Sequence, residues 1–197
     1  MDTASFTQNI NKAQERESLI GSALARYYDC SINYNNSSDP DILKRYDYLL
    51  YNINKGWSSR MEQQDDWYQT DPDGTLFFEQ FTFANRKTIP GKLIYTKSHK
   101  FVYVLNHLEM VLILDIERIR NLVATYESAG VLQTTLPRDF QSWKEKHDTN
   151  PTQGVLLPIE DVLLNDHQAK QFTYDDLNIN KNRYHELRQQ ARRNSNT

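Results

Sequence analysis

Four carboxylates stand where acids are costly. Glu17 lies four residues after Ala13 and three before Ile20, on the apolar stripe of a periodic segment. Asp47 falls near the start of YDYLLYNI (46–53), a run otherwise rich in aromatic and aliphatic side chains. Glu62 belongs to MEQQDD (61–66) and Glu79 to FFEQF (77–81). A carboxylate among apolar groups costs on the order of several kcal/mol unless it is paired or binds a cation. Hard divalent cations such as Mg²⁺ take oxygen ligands, keep several waters and use one or two carboxylates. Such an ion acidifies a bound water and neutralises charge on a phosphate. The set points to phosphodiester hydrolysis rather than acyl or hydride transfer. Each acid also has a structural reading. Glu17 at the stripe's edge reaches solvent, with Glu15 and Arg16 facing out; Asp47 caps or pairs with Arg45. Glu62, Gln64 and Asp66 form a solvated strand face, and Glu79 pairs with a basic residue of 86–100.

Other chemistries find no support. The 6 glycines stand in neither GxxxxGK[ST] nor GxGxxG order, so no phosphate-cradling loop is present. His99, His107, His147, His167 and His185 show no HExxH spacing and read as surface residues. Cys30 is alone, which excludes an intramolecular disulfide and a cysteine zinc site. A net charge of −3 argues against non-specific coating of nucleic acid, but the charges are unevenly placed. Segment 61–79 carries acids and no base, segment 86–100 bases and no acid, and 181–197 is strongly basic. At 197 residues the chain fits one domain, or one domain with an appendage, and needs no staple. Its apolar runs, such as Met110 to Leu114, are too short to span a bilayer. The first residues lack the basic-then-apolar order of a secretory signal. The expectation is a soluble, cytoplasmic protein.

The acids need elements to bring them together. Ile10, Ala13, Ile20, Leu24 and Tyr27 recur at helical spacing and predict a helix over 8–28. Residues 46–53 read as a strand, Asn54-Lys55-Gly56 as a turn and 57–67 as the return strand. A loop of two or four residues pairs Asp47 with Glu62 or Gln64; a three-residue loop puts Gln63 opposite it, on the wrong face. Residues 75–83 read as a strand, and Pro90-Gly91 precedes a short helix or loop. Two apolar strands follow at 101–106 and 110–115, then a helix over 116–126. NYNNSSDP (33–40) and KHDTNPTQ (146–153) look like linkers. The economical architecture is an α/β core over 1–130, a mixed sheet with helices on its faces. Residues 131–197 form an extension: an edge strand or loop at 153–162, since Pro158 cannot donate to a ladder, then a polar basic helix or tail over 172–193.

From about Glu17 to Tyr126 this order resembles the PD-(D/E)XK nuclease superfamily. The likeness rests on a helix carrying Glu17, Asp47 at the start of a strand, and Glu62-Gln63-Gln64 on the next. The stretch PGKLIYTKSHKFVYVLNHLEMVLILDIERIRNLV is similar to a run in small phage and bacterial members. The resemblance implies a restriction-endonuclease-like mixed central sheet flanked by helices. It implies Mg²⁺ or Mn²⁺ held by Asp47 and Glu62 with Glu79 as a further ligand, and catalysis by Asp47, Glu62, Gln64 and Glu17. Lysine is usual where Gln64 stands. A lysine orients the attacking water and offsets negative charge; a glutamine only hydrogen-bonds, although some active restriction enzymes of the superfamily carry it. A relocated lysine, Lys87 or Lys97, is the alternative. Phosphate contacts fall to Arg86, Lys87, Lys92, Lys97 and Lys100, with Arg183, Arg188, Arg192 and Arg193 as a second basic run. The implied protein is a Mg²⁺-dependent DNA endonuclease, a homodimer if both strands are cut. The rival readings are an inactive module of the same fold that binds DNA or a protein, and an inhibitor whose acidic 61–79 surface imitates the charge of DNA.

Overall fold

A computed structural model of the chain describes residues 3–35, 46–65, 74–84, 87–135 and 152–195. Helix α1 (Thr3–Tyr27) buries Ile20 and Leu24 of the predicted stripe together with Ala23, whereas Tyr27, the last member of that stripe, is exposed. It ends at Asp29, which adopts a left-handed φ of 49° while Cys30 N donates to Ala25 O and Asp29 N to Arg26 O. This pair of bonds is the Schellman closure, with Asp in the place glycine usually takes.

A six-stranded sheet follows the order β1 (Ser31–Tyr34), β2 (Tyr48–Asn52), β3 (Trp57–Asp65), β6 (Lys100–Leu105), β7 (Met110–Asp115), β10 (Lys170–Thr173). Its pairs are antiparallel except β3 with β6, which run parallel. A parallel neighbour needs a long crossover, and the intervening chain supplies β4 (Thr75–Ala84), β5 (Lys87–Pro90) and the one-turn helix α2 (Lys92–Tyr95). A second, antiparallel sheet has the order β5, β4, β9 (Thr152–Pro158), β8 (Gln133–Thr135). Helices α3 (Ile116–Ser128), α4 (Ile159–Asn165) and α5 (Lys181–Ser195) complete the five among the described residues. The molecule is thus mixed α/β with two sheets.

Each face of the six-stranded sheet has its own apolar core. Ile20, Leu24, Tyr48, Leu50, Met61, Val102 and Val104 pack with Tyr174, Tyr184 and other residues toward α1 and α5. Phe101, Tyr103, Leu112 and Leu114 pack on the opposite side with Leu76, Phe78, Val155, Leu157 and the buried stripe of α3. Coverage on both sides explains why β6 and β7 read as continuous apolar runs rather than alternating ones.

The predicted helix at 8–28, the strands at 46–53, 57–67, 75–83, 101–106 and 110–115 and the helix at 116–126 are all present, within a few residues at their ends. The C-terminal third is more deeply built in than its composition suggests. Strand β9 lies between β4 and β8 rather than at an edge. Pro158 ends that strand opposite Thr75, where a missing N–H costs little before the chain turns into α4. Residues 33–34 of the first linker-like stretch belong to β1; 36–40 and 146–151 fall outside the described residues.

Helix α5 packs against α1, and Tyr184 and Leu187 on it are fully enclosed. Tyr184 Oη donates to Asp65 Oδ1 at 2.8 Å, and Arg16 Nε donates to Asp65 Oδ2 at 2.7 Å. Arg16, which reads as outward-facing in the sequence, is therefore buried in an ion pair at 4% exposure. Removing one donor from a buried carboxylate costs about 1–3 kcal/mol. Tyr184→Phe is expected to lower stability by about that amount in urea unfolding; an unchanged midpoint means α5 is held by apolar packing alone.

Candidate functional site

Asp47 immediately precedes β2, and the hairpin fixes what it faces. Tyr48 pairs with Met61 and Asn52 with Trp57, leaving a four-residue loop, Ile53–Gly56. Gly56 closes it at a left-handed φ of 66°. Asp47 N donates to Met61 O at 2.9 Å, the carbonyl of Tyr48's own partner, so the regular pairing ends before Asp47, and its carboxylate is brought beside Glu62 by their shared contacts with Gln63 and Lys92. The even-numbered loop that a shared site demands is the one present. Asp47 Oδ2 accepts from Gln63 N at 2.6 Å, while Glu62, only 3% exposed, accepts the Thr96 hydroxyl on Oε2 at 3.0 Å.

A cation enters from outside the hairpin. Lys92 Nζ lies 2.9 Å from Glu62 Oε1 and 3.9 Å from Asp47 Oδ2, and donates to Gln63 O at 2.9 Å. Its position depends on Gly91. Strand β4 has a register shift between Glu79 and Phe81, and Gly91 N donates to Gln80 O there at 2.5 Å. A Cβ on Gly91 would stand 2.6 Å from Glu79 Cγ and 2.8 Å from Gln80 C, so only glycine permits this approach. Arg120 of α3 fixes the other end of α2, donating to the carbonyl oxygens of Leu93 at 2.9 Å and Thr96 at 3.0 Å.

Among the described residues the acids here outnumber the bases. Burial, joined by the Asp47 and Asp65 charges and opposed by Lys92, pushes the Glu17 carboxyl up to about 7. Burial likewise takes Glu62 up to about 7 against the pull of Lys92. Burial draws the Lys92 ammonium down, but Asp47 and Glu62 outweigh it and hold its pKa well above the usual lysine value. Three carboxylates thus influence one ammonium.

The structure gathers Glu17, Asp47, Glu62 and Lys92, and places the other named residues elsewhere. Gln64 shares a face with Glu62, but its Nε2 donates to Phe77 O on β4 at 2.6 Å, and its Oε1 is buried without a hydrogen-bond partner among the described residues. Glu79 accepts the Thr82 hydroxyl at 2.5 Å. Among the described residues no three Asp, Glu, His or Cys side chains form a group that could hold a metal ion. Lys92, read from sequence as a phosphate contact, pairs with both acids. Its place beside Pro90-Gly91 was visible in the sequence; nothing in the sequence showed how closely that turn meets β4. Lys100 is tied to Asp115 at 2.9 Å, and Lys97 is exposed. Arg86, the Lys87 side chain and acidic residues 66–73 lie outside the described residues.

The raised carboxyl values fix the sign of a pH effect. An unfolded glutamate releases its proton near 4.5, whereas folded Glu17 keeps its proton to about 7. The folded state binds the extra proton in between, so the stability contributed below that window is lost as pH rises through it. Gln imitates the protonated acid. Glu17→Gln is expected to be more stable than the parent at about pH 8, by ~1 kcal/mol, the shift being discounted because Glu17 is partly open to solvent. The gap should close toward pH 4.5. Urea midpoints across this range check it, and a pH-independent gap contradicts it. No protein-family model, curated protein or solved structure matches the chain.

Proposed function

We propose that the chain is a divalent-metal-dependent DNA endonuclease with a restriction-endonuclease-like core. The supporting observation is that Asp47, just before β2, and Glu62 on β3 meet one lysine at 3.9 and 2.9 Å. Two carboxylates and the Gln63 carbonyl form an all-oxygen donor set, which suits Mg²⁺ or Mn²⁺ with waters completing the shell. Bound there, the ion would supply an acidified water and neutralise phosphate charge. Asp47 and Glu62 would hold it. Lys92, released from between them, hydrogen-bonds the attacking water or a non-bridging phosphate oxygen, the task that Gln64, committed to Phe77 O, is not placed to perform. Glu17 adds negative charge beside the pair and strengthens its attraction for a dication. Lys97 is an exposed cation available to the DNA backbone, and cutting both strands would take two copies of the site.

One observation favours a second reading, an inactive module of the same fold that binds DNA or a protein. Lys92 already neutralises the acid pair, as a purely structural ion pair would.

Two measurements separate them. Under the nuclease reading, Mn²⁺ raises the melting temperature at about pH 8, because a ligand that binds only the native state stabilises it; Asp47→Ala abolishes the rise. Plasmid nicking in Mg²⁺ should fall by about 10²-fold or more in Asp47→Ala and in Lys92→Gln. Undiminished nicking by Asp47→Ala refutes the site. A metal-induced stabilisation without nicking leaves the binding module.

A further inference from the structure

The face of β3 opposite Glu62 carries Trp57, Ser59 and Met61, and these residues line a cavity of about 730 Å³. Leu50 and Ile113 extend the apolar wall, and Tyr28, just past α1, closes one side. The Tyr28 and Trp57 rings meet edge to face, with centroids 6.4 Å apart. The rim is cationic: Lys55, Lys100 and Lys170 contribute, and among the described residues no carboxylate lines the cavity.

The three lysines are unequally committed. Lys100 is bound to Asp115 at 2.9 Å. Lys55 stands 3.8 Å from an Asp29 side chain that is 94% exposed, a pairing of little strength. Lys170 Nζ lies 5.0 Å from the centre of the Tyr28 ring, with no carboxylate in ion-pair range among the described residues. An anion entering the rim therefore gains at least one ammonium without displacing an acid. The volume falls within the range of small-molecule pockets, about 300–1,000 Å³. Aromatic rings next to cations suit a flat, electron-rich body carrying phosphate. Ser59 and Gln168 add hydrogen-bonding groups to the wall, which a purely aliphatic anion could not use.

We propose that this cavity binds a phosphorylated nucleoside, its base against Trp57 and Tyr28 and its phosphate at Lys170 and Lys55. The source is either a free nucleotide or the phosphorylated end of a DNA strand. The site lies on the opposite sheet face from Asp47 and Glu62 and does not rest on the nuclease reading.

Calorimetric titration of the full chain with ADP, in EDTA so that no metal at the acids takes part, tests it. ADP should bind below about 1 mM, and adenosine and inorganic phosphate each about tenfold more weakly or worse. Lys170→Gln should weaken ADP about tenfold, and Ser59→Phe, which fills the cavity, should abolish binding. Lys170 is exposed, so its variant tests the site even if Ser59→Phe does not fold. Asp47→Ala should leave ADP binding unchanged, which separates this site from the acid pair. Tighter binding of 5′-phosphorylated tetrathymidylate than of ADP marks a strand end as the source; the reverse marks a free nucleotide. No heat with ADP at about 1 mM, ADP affinity unaltered by Lys170→Gln, or decanoate binding in place of ADP would overturn the assignment.

Discussion

The contact of Lys92 with Glu62, Asp47 and the Gln63 carbonyl is the constraint around which the middle of the chain is arranged. Withdrawing a carboxylate from water costs on the order of several kcal/mol, recovered only with a well-placed counter-charge. Glu62 is nearly inaccessible, so its counter-charge has to be delivered by the fold. Delivery takes the whole excursion from β3 to β6. The chain leaves the first sheet for β4 of the second, the irregularity of β4 at Glu79–Phe81 receives Gly91, and α2 begins at the next residue. Arg120 then anchors the carbonyl end of α2 to α3. The second sheet is part of the device that places one ammonium.

Gln63 joins this arrangement to the other face of the sheet. Its N–H and C=O serve Asp47 and Lys92. Its side chain points the opposite way, donating to Asp65 at 3.2 Å and lying 3.4 Å from the Tyr48 hydroxyl. Asp65 in turn takes Arg16 and Tyr184. Helix α5, separated from β3 by more than a hundred residues of chain, therefore braces the residue whose main chain holds both Asp47 and Lys92.

How much of this was legible follows from the range of each interaction. Helix α1 and the hairpin carry local signals: apolar period, aromatic runs, a glycine turn and a loop length that restricts the register. Those signals were enough to place Asp47 with Glu62 and to single out Glu17. Lys92 was not legible as their partner, because its position depends on contact between Gly91 and a β4 irregularity, and neither has a local signature. The surroundings of Gln64 were hidden for the same reason. Strand alternation puts it on the face of Glu62, but Phe77 O belongs to a strand whose approach the pattern does not encode. The last third resisted reading because α5 is polar over most of its surface and is held by a few residues, Tyr184 and Leu187 foremost.

The charges around β3 differ in how they are balanced. On the α1 and α5 side, Asp65 meets Arg16 and a tyrosine hydroxyl, one acid against one base, both well buried. That is a closed account, and adding an ion there would leave charge uncompensated. Around Glu62, by contrast, Asp47 and Glu62 share Lys92, Glu17 of α1 feels the same charges, and Glu17 and Glu62 hold their protons to about neutral pH. A fold selected for stability alone would relieve such a surplus by placing an amide at position 17, which would serve packing equally well. Among the described residues, that surplus is what gives a cation, or a proton, something to gain by arriving, and it is the physical ground of the proposed site.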